Sequence, residues 1–207
     1  MTKTELVKGL TRYIPLSTVD PIAELIVELK VHLRVSKQRS TKLGDYRHPH
    51  GNHGHRISVN HNLNQYAFFI TLVHELAHLL TWNRYQNLVD PHGKEWKAFF
   101  QNLMVSFLNK SIFPEDVEHA LSRYLRNPAA SSCSDPHLFK VLSRYDEHPV
   151  IHLDDLPAGA KFGLSNGMVF VKGEKRRTRY RCIEQRSGRA YFVSGIAEVE
   201  ILDDDAG

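Results

Sequence analysis

Cysteine is nearly absent from this chain: two residues in 207, Cys133 and Cys182, far apart. Isolated thiols exclude a disulfide framework and cannot supply a four-thiolate metal clip. Each is expected to be a small buried or linker residue. No stretch approaches the roughly 20 apolar residues that a membrane span needs, and the charged N-terminus has no signal-peptide core. There is no internal repeat and no low-complexity tract. Charge of one sign is also scarce, since a net +4 does not by itself mark a nucleic-acid binder. These absences point to a soluble, cytoplasmic, globular protein with no membrane partner. Its length suits one sizeable domain, or a domain with a small appendage.

Histidine is plentiful, with 13 residues, four of them crowded together as His48, His50, His53 and His55. Basic residues gather late in the chain, and acids gather in the terminal Asp203, Asp204 and Asp205. Asp20-Pro21 is a helix start, and Ile22, Leu25, Ile26 and Leu29 repeat at helical spacing as far as about Leu33. A polar, Gly-containing stretch follows over about 35–55. Ile57 and Val59 then alternate as one face of a strand over 56–60. Asn62 or Asn64 caps the next helix, over about 65–85, which is apolar on nearly every side and therefore buried. Further helices are expected over about 93–108, from Pro114, and over 136–145, with a linker or surface loop at 127–135. Beyond that, turn signals at Asn166-Gly167 and Ser187-Gly188 separate alternating runs, giving about five short strands between Ala160 and Leu202.

The chemistry concentrates on the buried helix, which carries His74-Glu75-Leu76-Ala77-His78. Histidines four apart lie one turn apart on the same helix face, where both imidazoles can bind one Zn²⁺. Glu75 beside them can reach a metal-bound water as general base without being a ligand. Chance alone would produce such a motif in about one comparable chain in twenty. The surroundings decide: two histidines and a glutamate on an apolar helix would cost several kcal/mol without partners. A catalytic zinc commonly has three protein ligands and an open position. His92 is the preferred third ligand, because Asp90-Pro91 lets the chain turn back and Gly93 permits close approach; Glu95 and Asp90 are rivals. The His48–His55 cluster reads as a solvated loop near the cleft, since Gly51 and Gly54 deny it a rigid scaffold.

The run from His74 to His78, a short loop, and then His92-Gly93 with Trp96 on a second helix resemble the SprT-like metallopeptidases, a family that includes the eukaryotic Spartan proteases acting on proteins crosslinked to DNA. The segments 39–47 and 56–60 resemble those preceding the motif in bacterial members. The likeness covers roughly 20–124. It implies a zinc-dependent endopeptidase, with His74, His78 and His92 as ligands and Glu75 as general base. It also implies that Ile57, Ser58 and Val59 form an edge strand on which an extended protein substrate can pair. Tyr46, Tyr66 and Tyr85 are candidates for stabilising the oxyanion. Many family members continue into a cysteine zinc ribbon; this chain does not, so one zinc ion is expected.

The ribbon's place is taken by a basic hairpin carrying Lys172, Lys175, Arg176, Arg177, Arg179 and Arg181, with Phe170, Tyr180, Tyr191 and Phe192 interleaved. Such a run can neutralise phosphates and stack on unpaired bases, which makes DNA, single-stranded or crosslinked to protein, a candidate partner. The expected architecture is α+β: a zincin-like metallopeptidase domain over 1–145, with a buried active-site helix and a small sheet, then a small basic β barrel or meander over 146–207. The alternative function is a zinc-stabilised nucleic-acid-binding or transcription-associated module with little proteolysis.

Overall fold

The structure, a computed structural model, describes residues 2–39, 41–129 and 135–202. Cys133 and the terminal acids Asp203, Asp204 and Asp205 lie outside the described residues. The chain divides into two compact units, Met1–Glu147 and His148–Gly207. Among the described residues the architecture is α+β, with six α-helices and two sheets. Among the described residues no helix is long and apolar enough to cross a membrane.

The first unit begins with α1 (Lys3–Leu10), closed by a reciprocal capping box between Thr2 and Glu5 that satisfies two orphan backbone donors. Helix α2 (Val19–Glu28) follows a short 3-10 turn and buries Ile22, Ala23 and Ile26. It stops earlier than the helical spacing suggests. Lys30 turns the chain at φ +52, and His32–Ser36 becomes strand β1. Leu33 alternates inward as a buried residue while His32 and Arg34 are exposed, so strand pairing overrides the helical reading there.

Strand β1 runs parallel to β3 (Arg56–Asn60), and β2 (Gly44–Arg47) lies antiparallel on the other side of β3. The order β1-β3-β2 corrects one expectation: Ile57, Ser58 and Val59 do not form an edge strand. Both backbone ladders of β3 are taken, by β1 and β2, while Ile57 and Val59 face the core. The free edge beside the next helix belongs to β2.

That helix, α3 (Gln65–Tyr85), starts where the Asn64 side chain accepts hydrogen bonds from the N–H groups of Tyr66 and Ala67. Every residue from Ala67 to Ala77 is buried, as an all-round apolar helix requires. Helix α4 (Lys94–Val105) turns Trp96, Phe100 and Met104 onto it. Helices α5 (Glu115–Tyr124) and α6 (Pro136–Ser143) complete the core with Val117, Leu121, Leu138 and Leu142.

The second unit is a sheet of seven short strands: β4 (Ile151–His152), β5 (Lys161–Gly163), β6 (Val169–Val171), β7 (Lys175–Arg176), β8 (Arg179–Glu184), β9 (Ala190–Ser194) and β10 (Glu198–Ile201). Strands β5, β6, β8 and β9 form a meander, after which β10 returns between β4 and β5. The sheet stays open, so the barrel alternative is corrected to an open sheet. Gly167 and Gly188 adopt φ +78 and +69 at the two turns. A separate small core gathers Leu153, Phe162, Phe170, Tyr180 and Cys182. Cys182 is thus a small buried residue.

Candidate metal centre

Three imidazoles meet at the middle of α3. His74 and His78, one turn apart, bring their Nε2 atoms to 3.1 Å, and His92 brings its Nε2 to 3.4 Å from that of His74. For a tetrahedral ion bonded to nitrogen at about 2.0–2.1 Å, ligand atoms are about 3.3 Å apart, the edge of the tetrahedron. The spacing fits. Among the described residues these three form the one group whose ligand atoms all lie within 4.8 Å and could hold a metal ion. Asp90 and Glu95, the rivals for third ligand, lie outside that set.

His92 arrives through a tight return of the chain. The Gly93 N–H donates to the Asp90 carbonyl at 3.0 Å, and Gly93 then forms the N-cap of α4. A side chain there would crowd Asp90 O and Glu95 Oε2, each 3.2 Å from an added Cβ. One turn on, Trp96 supports all three rings, with ring centroids 4.5 Å from His74, 5.3 Å from His78 and 4.9 Å from His92. Its indole N–H also reaches the His74 carbonyl at 3.4 Å. His74 Nδ1 is buried without a hydrogen-bond partner, so packing against Trp96 and Phe100 orients that ring. Burial, with the neighbouring imidazoles adding to it, drives His74 down to about 2 and His78 to about 3; burial also lowers His92. The rings are therefore neutral, the form in which imidazole binds metals.

Glu75 projects from the same helix toward β2 instead of joining the three nitrogens. Its carboxylate accepts the backbone N–H of Tyr46, and burial, helped by the charge of Asp45, pushes its pKa up to about 8. A divalent cation nearby would pull that value back down. Gly44 makes the approach possible. A Cβ on Gly44 would overlap Glu75 Oε1 and sit 2.9 Å from Glu75 Cδ and 2.8 Å from Thr71 Cγ2. Neither Gly44 nor the Tyr46 N–H was singled out in the sequence; a glycine opening a strand near the motif was the available signal.

The centre opens into a cleft of about 380 Å³ bordered by Tyr46, His48, Thr81, Trp82 and Val89. His48 stacks flat on Trp82 at 5.4 Å, and His55 meets the same indole edge-on at 5.5 Å. His50 and His53 pair through their backbones. The histidine-rich loop therefore packs partly onto the mouth of the cleft through Trp82. The Tyr46 hydroxyl is 3.0 Å from His55 Nδ1, Tyr66 packs against Phe113 and Tyr145, and Tyr85 does not line the cleft.

The SprT-like family model matches residues 22–119, the span from α2 into α5. Over that span the chain is similar to the SprT-like family. Proteins named SprT from Cronobacter sakazakii, Klebsiella pneumoniae and Erwinia tasmaniensis are each 50% identical to it over 42 residues. Those residues are 20% of this chain and span only about a quarter of each relative, 25%, 25% and 24%. No solved structure matches.

The basic hairpin splits into unequal parts. Lys172 is buried; its Nζ is capped by the Leu156 and Asp154 carbonyls and lies 4.1 Å over the Tyr180 ring. Its expected phosphate contact is corrected to a structural role, because its ammonium group is engaged by two backbone carbonyls and the Tyr180 ring. Lys175 pairs with Asp154 at 2.7 Å. Arg176, Arg177, Arg179 and Arg181 are exposed, and cross-strand register sets Arg181 beside Phe192, itself 57% exposed. Phe170 and Tyr180 are buried in the small core and unavailable for stacking.

Proposed function

We propose that the chain is a zinc-dependent endopeptidase with a zincin-like centre, in which His74, His78 and His92 hold one zinc ion and Glu75 is the general base. The observation that carries this is the convergence of three neutral Nε2 atoms with a carboxylate beside them but outside the ligand set. Bound there, zinc would lower the pKa of a water toward neutrality and polarise the scissile carbonyl. Glu75, aimed by the Tyr46 N–H and held by the space above Gly44, takes the water's proton and delivers it to the leaving amine. An extended protein substrate runs along the outer edge of β2, the strand whose Asp45 and Tyr46 border the cleft, and pairs with edge groups other than the Tyr46 N–H that Glu75 engages.

Nucleic acid is the proposed second partner, met by the arginine face around Arg176, Arg177, Arg179 and Arg181, so that DNA-associated or crosslinked proteins are the substrates and the cytoplasm the setting. The same face favours the alternative, a zinc-stabilised binding module. The two separate on one experiment. The purified chain is stripped of metal with a chelator, reloaded with zinc, and offered an unfolded protein with and without single-stranded DNA. Cleavage that disappears on stripping and returns with zinc supports the peptidase. Zinc-dependent DNA binding without any cleavage supports the module.

A further inference from the structure

The solvent face of the three-stranded sheet carries a second concavity, of about 780 Å³, larger than the metal cleft. Strand alternation builds it: Ile57 and Val59 point into the core, and Arg56 and Ser58, which alternate with them, lie on the other face. Its cations are Arg34 of β1, Arg56 of β3, Arg47 of β2, and Lys37 and Arg39 from the segment after β1. Asp45 is the one acid lining it among the described residues, already held by Lys42 Nζ at 2.6 Å and Arg47 Nε at 2.9 Å.

The charges are placed against one another. Register sets Arg47 directly opposite Arg56, so two guanidinium groups face each other across adjacent strands, and His32 stands on the other side of Arg56. Arg56 Nε is buried without a hydrogen-bond partner. Arg39 is laid flat on the sheet by bonds from Nε to Asn60 Oδ1 (2.8 Å) and from Nη1 to Ser58 Oγ (3.0 Å). A face arranged this way is stabilised when an anion settles across it.

We propose that this sheet face binds the sugar–phosphate backbone of a nucleic acid, as a site separate from the C-terminal arginine face. A polyanion is favoured over an acidic peptide for two reasons. Both backbone edges of β3 are paired, so a peptide finds no free ladder on this face. The lining is polar or charged apart from Ile57 and Gly54, giving no apolar pocket for side chains. It also holds no aromatic ring other than histidine, so contact is to phosphates and independent of sequence. Neighbouring strands are about 4.8 Å apart, so three of them span about 10 Å, room for more than one phosphate. Asp45 lines both the groove and the metal cleft, which puts the bound backbone one strand away from the centre. This goes beyond the peptidase reading and does not depend on it, because the test reads binding and not cleavage.

The test is fluorescence anisotropy of a labelled single-stranded oligonucleotide with the full-length, zinc-loaded protein, titrated at several salt concentrations. Arg34→Glu with Lys37→Glu reverses two exposed charges, and Arg34→Gln with Lys37→Gln removes them with less risk to folding. Unchanged zinc content and melting temperature certify the fold. The expected result is at least about tenfold weaker binding and a salt slope shallower by about 1.4, two lost contacts at about 0.7 each. Affinity and slope equal to wild type in both variants, or no oligonucleotide binding by the wild type, would overturn the proposal. So would polyglutamate displacing the oligonucleotide as well as unlabelled DNA does at equal charge, which would assign the face to acidic polypeptides.

Discussion

Gly44 gives the sharpest handle on the proposed general base. Replacing it with alanine adds one carbon in space already taken by the Glu75 carboxylate, with Glu75 Cδ at 2.9 Å and Thr71 Cγ2 at 2.8 Å. Carbon atoms do not settle closer than about 3.5 Å, so Glu75 or β2 must shift by the better part of an ångström. Overpacking of this kind costs about 1–3 kcal/mol in stability. The larger effect falls on chemistry: a misplacement of about 1 Å costs on the order of 10²-fold, or about 2.7 kcal/mol of barrier. The atoms nearest the added carbon belong to Glu75 and Thr71 and not to the three histidines, so zinc content should hold. The assay is kcat/KM on a peptide substrate, with bound zinc and melting temperature measured on the same samples. Placing Gly44→Ala on a Glu75→Gln background should add little further loss, because both changes act on one group. A Gly44→Ala enzyme with normal zinc and a rate within about threefold of wild type would refute the reasoning, since catalysis would then tolerate the displacement.

Other substitutions test the neighbouring parts. His92→Ala should lower zinc affinity by at least about tenfold in a competition titration with a chelating dye; unchanged affinity would remove His92 from the ligand set. Trp96→Ala, which empties a fully buried site against all three rings, should cost about 3–5 kcal/mol in denaturant unfolding and weaken zinc binding as well. In the second unit, Glu184 accepts hydrogen bonds from Ser187 and from the N–H groups of Arg186 and Ser187, which hold its carboxyl below the ordinary range. Stability from a depressed carboxyl is complete above the unfolded value near 4.5 and is lost as pH falls through the folded value. Glu184→Gln should therefore flatten the acid limb of thermal stability below about pH 4.5, and an unchanged limb would count against those bonds.

What the sequence made legible was mostly local. Asn64 as a cap, the apolar wrap of α3 and the one-turn spacing of His74 and His78 all follow from helical period alone. His92 was within reach because Asp90, Pro91 and Gly93 mark a reversal whose length limits where the chain can return. Pairing across the chain was harder. The central position of β3 depends on β1, and Leu29 and Leu33 sit at a spacing that also suits a helix, so the strand was read as the helix tail. The edge position of Ile57, Ser58 and Val59 is implied by the family resemblance alone, and the parallel partner β1 removes it. Lys172 shows a second limit. In sequence it is one more cation in a basic run, and only the approach of the Leu156 and Asp154 carbonyls reveals it as buried. The groove on the outer sheet face was invisible for the same reason, since its cations come from three strands and a loop that meet only in the fold.

The most direct measurement compares wild type with Glu75→Gln, both loaded to one zinc per chain, on the same unfolded protein substrate. The expected result is equal zinc in the two proteins and cleavage slower by at least about 10²-fold in Glu75→Gln, the share of a general base. Equal cleavage by the two proteins, or none by either at full zinc occupancy, would contradict the assignment of this centre as a peptidase.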